Sequence, residues 1–92
     1  MTNEEIAAIF EDIAVRLREK KENIFKIRAY EKIARSIREL KEPVETMVKE
    51  GRIGEIQGAG EAISKKLQEI TATGKLQFYE KLKTEIPPGG QP

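Results

Sequence analysis

The apolar residues of this chain recur three and four positions apart from its start almost to its end, and no stretch alternates with a period of two. That period admits helices and argues against a sheet. Ile6, Ile9, Phe10, Ile13 and Leu17 form one stripe. Ile24, Ile27, Tyr30, Ile33, Ala34, Ile37 and Leu40 form a second, and Val44, Met47 and Val48 a short third. Ala62, Ile63, Leu67 and Ile70 make a fourth, and Leu76, Tyr79 and Leu82 a fifth. Helices apolar along one stripe must bury it against one another. The expectation is an all-α compact bundle of four main helices plus a short terminal one.

Polar and breaker residues mark the boundaries. Thr2 and Glu5 have capping-box spacing ahead of the first stripe. The run Glu19–Asn23 reads as a connection, with Asn23 as the next N-cap. Pro43 suits the first turn of the third helix, and Gly51 suits its C-terminal cap. Gly58-Ala59-Gly60 breaks the pattern before the fourth helix, and Gly74 closes it. Pro87-Pro88-Gly89-Gly90 ends the last helix. One helical domain is expected over 1–86, with 87–92 a linker or a cut end.

Ninety-two residues suffice for one domain. With no cysteine there is no disulfide and no thiolate metal site; with no histidine, a Ser-His-Asp or Cys-His enzyme is excluded. Catalysis would have to run on Lys, Tyr, Asp or Glu. Charged residues make up 36% of the chain, yet the net charge is +1. Binding to nucleic acid must therefore come from local geometry and not from bulk charge. No apolar run approaches membrane-spanning length and no signal peptide opens the chain, so an intracellular, cytoplasmic location is expected.

The local geometry that qualifies lies in 44–73. A short amphipathic helix, a tight hairpin from Ile53 to Gly60 and an immediate second helix make a helix-hairpin-helix. Gly58 and Gly60 allow a sharp turn and close backbone approach of a ligand. The first N–H groups of the next helix have no internal partner and carry the positive end of its dipole, a setting suited to a DNA phosphate. Gly58, Ala59, Gly60, Lys65 and Lys66 are the expected phosphate-binding residues, with Ile56 and Ile63 anchoring the hairpin. The competing reading is a plain turn and N-cap in a protein-interaction bundle.

Gly51-Arg52-Ile53-Gly54-Glu55-Ile56-Gln57-Gly58-Ala59-Gly60, followed by Ile63, Lys66-Leu67 and Thr73-Gly74-Lys75-Leu76, resembles the helix-hairpin-helix of X-family DNA polymerases. More narrowly, it is similar to the amino-terminal lyase domain of DNA polymerase beta and its microbial relatives. Asn23-Ile24-Phe25-Lys26-Ile27-Arg28-Ala29-Tyr30, then Ala34 and Ile37, resembles the second helix of that domain. Glu85-Ile86-Pro87-Pro88-Gly89 resembles the passage into the polymerase fingers.

The resemblance implies backbone-directed, sequence-nonspecific binding of gapped or 5′-phosphorylated DNA, by a monomeric module of a repair polymerase. The chain itself is too short to hold the polymerase domain. It also implies a possible 5′-deoxyribose-phosphate lyase, with Lys66 as Schiff-base nucleophile supported by Lys26 and Tyr30. An amine attacks the open sugar aldehyde, and the imine so formed lets β-elimination expel the phosphate. No cofactor is required, but the resemblance implies a sodium or potassium ion held by the main-chain carbonyls of Gly54, Ile56 and Ala59. Two departures stand out. Ala62 and Phe78 occupy positions where polymerase beta carries phosphate-contacting lysines, and Phe25 replaces a histidine. With fewer cations nearby, Lys66 is expected to stay more protonated, and the domain to be a binding module more than a lyase.

Overall fold

The structure, a computed structural model, describes residues 1–85. The expected linker at 87–92 and the last residue of the expected domain lie outside the described residues. Five helices follow in order: α1 (Asn3–Glu19), α2 (Ile24–Glu39), α3 (Val44–Lys49), α4 (Glu61–Thr73) and α5 (Gln77–Glu85). A 3-10 turn at Ile53–Glu55 sits between α3 and α4, and no strand occurs among the described residues.

Local chemistry sets each start. Thr2 and Glu5 close the capping box in both directions: the Glu5 N–H donates to Thr2 Oγ1 at 3.1 Å, and the Thr2 N–H to Glu5 Oε1 at 2.8 Å. The Asn23 side chain accepts from the Phe25 N–H at 2.8 Å and opens α2. Pro43 stands one position earlier than expected, as the N-cap of α3, and its side chain makes no cap bond. Asn3 supplies what Pro43 lacks. Its Oδ1 accepts from the Val44 N–H at 2.9 Å, while its Nδ2 donates to the Glu42 carbonyl at 2.8 Å. The start of α1 is thereby stapled to the start of α3.

Helices α1 and α2 form an antiparallel pair, the most extensive in the fold. Ion pairs trace it from end to end: Arg18 with Glu31 at 2.7 Å, and Arg38 with Glu4 and Glu11, both at 2.9 Å. Phe10, Ile13, Ile33, Ile37, Leu67 and Ile70 are fully enclosed between the helices. Tyr30 lies in a stack, its ring 6.0 Å from Phe10 on one side and 6.0 Å from Phe78 of α5 on the other. The Tyr79 hydroxyl donates to Asp12 Oδ2 at 2.5 Å, and Lys20 pairs with Glu85 at 2.8 Å, so α5 is bound back onto α1. Two members of the expected stripes are exceptions. Ile24 is 39% exposed because it opens α2, one turn before the helix meets its partners. Ala62 is exposed in the first turn of α4, where the inward face begins at Ile63.

Candidate nucleic-acid interface

Helix α3 ends by turning left-handed at Gly51 (φ 68°). The Arg52 N–H then reaches back to the Met47 carbonyl at 2.8 Å. Ile53 and Ile56 plug the hairpin into the core, at 8% and 2% exposure. The Ala59 N–H donates to the Ile56 carbonyl at 3.1 Å, closing a tight turn with Gly58 at its third position. Gly58 has φ 91°, the conformation that position of a type II turn demands. The sequence Ile56-Gln57-Gly58-Ala59 thus reverses the chain directly into α4.

The start of α4 is open. Gly60 is its N-cap, offers no side-chain cap, and has no heavy atom within 4 Å of the place where a Cβ would stand. The first bond of the helix is Ser64 N–H to the Gly60 carbonyl at 2.8 Å. The N–H groups of Glu61, Ala62 and Ile63 precede it and have no acceptor among the described residues. Three donors and the positive end of a helix dipole therefore face an unobstructed approach. Lys65 lies on the solvent side of this turn, 3.8 Å from Glu61.

Lys66 faces the other way. Its Nζ sits 4.7 Å from the centroid of Phe78, the ring that also stacks on Tyr30. Burial, and after it the charge of Lys26, lower the Lys66 pKa from the ordinary lysine value, while Glu69 opposes them. Lys66, Lys26 and Tyr30 are thus brought to one locality, and Lys65 is not part of it. Burial raises the Tyr30 pKa, so its hydroxyl stays protonated near neutrality. Sequence reasoning treated Phe78 only as a lost cation. Its position shows a second role, as the apolar cover that desolvates Lys66. The only sequence signal was an aromatic at a position expected to be basic.

A helix-hairpin-helix domain family model matches residues 1–76. The chain belongs to the helix-hairpin-helix domain family. A search of curated proteins found no match. Domains of this family generally bind DNA without reading its sequence, and the start of α4 exposes three unpaired backbone donors.

The rim of the helix-hairpin-helix is not uniformly positive. Arg52 is surrounded by Glu42 at 2.7 Å, Glu50 at 2.6 Å and Glu55 at 3.1 Å, which fix it as a strut beneath the hairpin. The carbonyls of Ile56 and Ala59 already accept from the Ala59 N–H and, at 3.3 Å, from Ser64 Oγ. Each keeps a second lone pair, and carbonyl oxygens are hard donors suited to an alkali ion. Among the described residues no cluster of carboxylates suits a metal ion, and no helix is long and apolar enough to cross a membrane.

Proposed function

We propose that this domain holds DNA by its phosphate backbone without reading sequence, with the first turn of α4 as the anchoring site. The observation that carries this reading is the set of unpartnered N–H groups of Glu61, Ala62 and Ile63 behind an open Gly60. On this reading the affinity falls steeply with salt and varies little with sequence. Gly60 has φ −73°, which any residue adopts, and the space beside it is free. Gly60→Val therefore folds normally and blocks close approach. A loss of about tenfold or more in affinity, equivalent to about 1.4 kcal/mol, is expected in a titration with labelled DNA. Unchanged binding by the folded variant would remove the hairpin from the site.

The preferred ligand is gapped DNA bearing a 5′-phosphate, and the parent protein an X-family repair polymerase of which this is the amino-terminal module. The support is the resemblance of Asn23–Tyr30 and Gly51–Gly60 to that family, taken together. Titration of gapped DNA with and without the 5′-phosphate tests it. A sodium or potassium ion on the carbonyls of Gly54, Ile56 and Ala59 would bridge hairpin and phosphate. Replacing potassium by a bulky organic cation at constant ionic strength then weakens binding; equal affinity would rule the ion out.

One observation favours a second reading, a 5′-deoxyribose-phosphate lyase. Lys66 is desolvated under Phe78 and faces the charge of Lys26, both of which raise its share of free amine. The Phe78 ring face works against them by stabilising the ammonium. Borohydride reduction with a 5′-deoxyribose-phosphate substrate decides. Trapping abolished by Lys66→Ala assigns the nucleophile, and no trapping by the native chain leaves DNA holding as the function.

A further inference from the structure

The outer face of α2 carries a row of cations that the fold leaves unanswered. Arg28, Lys32 and Arg35 follow one another four and three residues apart, directly opposite the face formed by Ile27, Ile33, Ala34 and Ile37. All three are exposed, and none pairs with a carboxylate among the described residues. Elsewhere the arginines are answered: Arg16 by Asp12, Arg18 by Glu31, Arg38 by Glu4 and Glu11, Arg52 by three glutamates. Glu31, the carboxylate next to Lys32 in sequence, is itself taken by Arg18. Like charges at these spacings disfavour a helix.

The row also touches the hairpin. Gly58 presents its side-chain face to the stem of Lys32, whose Cγ, Cδ and Cε lie 3.5, 3.6 and 3.8 Å from the Cβ position. The Lys32 ammonium is one bond beyond. A cation from α2 is therefore laid beside the turn that leads into α4, and Arg28 and Arg35 extend the charge along α2 in both directions. From Arg28 to Arg35 the helix rises about 10 Å, the length of about three nucleotide steps along one DNA strand.

We propose that Arg28, Lys32 and Arg35 form a second phosphate track, continuing from the hairpin and taking neighbouring phosphates of the DNA held there. The track rests on the hairpin reading above, and extends the footprint from one helix terminus to a charged helix face. Each phosphate contact contributes about −0.9 to the slope of log affinity against log salt on duplex DNA.

The test compares four proteins on a short fluorescein-labelled duplex of arbitrary sequence, across a range of salt. They are the native chain, Gly60→Val, the triple variant Arg28→Gln/Lys32→Gln/Arg35→Gln, and a charge-matched control Lys41→Gln/Lys75→Gln/Lys83→Gln. Helicity and thermal unfolding establish that each is folded; the α2 variant keeps or gains stability because it relieves like-charge repulsion. The expected result is a salt slope shallower by about 2 to 3 in the α2 variant, with the control much closer to the native chain. An α2 variant matching the control in slope and affinity, while Gly60→Val loses binding, would overturn the track and leave the hairpin reading standing. No binding by the native chain would overturn both.

Discussion

Lys21 holds a backbone conformation that side chains rarely adopt, with φ at 60°. It follows the last turn of α1, where the Glu22 N–H reaches the Leu17 carbonyl at 3.0 Å, and it does the work that glycine does at Gly51 and Gly74. Those two ends were legible because glycine announces them. Lys21 sits in a polar run that showed only a connection, since the left-handed turn is set by hydrogen bonds and not by the side chain. Lys21→Gly is expected to stabilise the fold by about 0.5–1 kcal/mol, the left-handed penalty less the entropy of glycine. A chemical denaturation curve checks this, and a lower midpoint would show the lysine side chain to matter. The opposite outcome is expected at Ile63, 7% exposed and the first inward residue of α4. Ile63→Ala leaves a cavity beside the hairpin and should cost about 2–5 kcal/mol. A cost of a few tenths would mean that the neighbours close the gap.

At the scale of elements, the spacing of Ile6, Ile13, Ile27, Ile33, Met47 and Leu67 was enough to place four helices and their inward faces, because burial of one stripe fixes rotation. The stripes misjudged Ile24 and Ala62 for a common reason: both lie in a first turn, where the helix has not yet reached its neighbours. What periodicity could not show was how α5 attaches. It docks through a polar contact, Tyr79 to Asp12, beside the Arg16–Asp12 pair at 2.8 Å. Burial would raise the Asp12 pKa, but the bonds from Tyr79 and Arg16 prevail and hold it below the usual carboxylate range. Tyr79→Phe is expected to loosen α5 and to bring the Asp12 pKa upward. The measurement is a carboxylate titration by NMR, and an unmoved Asp12 would show that Arg16 alone sets it. Such loosening also uncovers Lys66, since Phe78 is the residue before Tyr79. Thr2→Ala, at the other end of the fold, removes the capping box and should cost about 0.5–2 kcal/mol.

For the whole molecule, the absence of histidine means that no side chain of ordinary pKa titrates near neutrality. The fold's pH limits come from its carboxylates at the acid end and from Tyr30 and Tyr79 at the alkaline end. Glu4, Glu5, Asp12, Glu42 and Glu85 are held low by their partners. Their contribution is present above the unfolded pKa of about 4 and is lost as pH falls through the folded values. Burial and the Asp12 bond push Tyr79 up to about 12, so its contribution is present below its unfolded pKa of about 10 and fades between the two. Melting temperature against pH should be flat around neutrality and fall at both ends; a rise on acidification below about 4 would contradict the ion-pair assignment. The candidate site was legible as glycine spacing and as family resemblance, but its charge pattern was not. A net charge of +1 conceals that four of the six arginines are spent on carboxylates, while Arg28, Lys32 and Arg35 of α2 have no ion-pair partner among the described residues. The Asn3 staple has a mechanical consequence. Asn3 bonds the start of α3 from the third position of the chain, so a load applied at the amino terminus reaches the hairpin's first helix before it has to peel α1 from α2. A trimmed or tethered amino terminus would therefore loosen the start of α3 first.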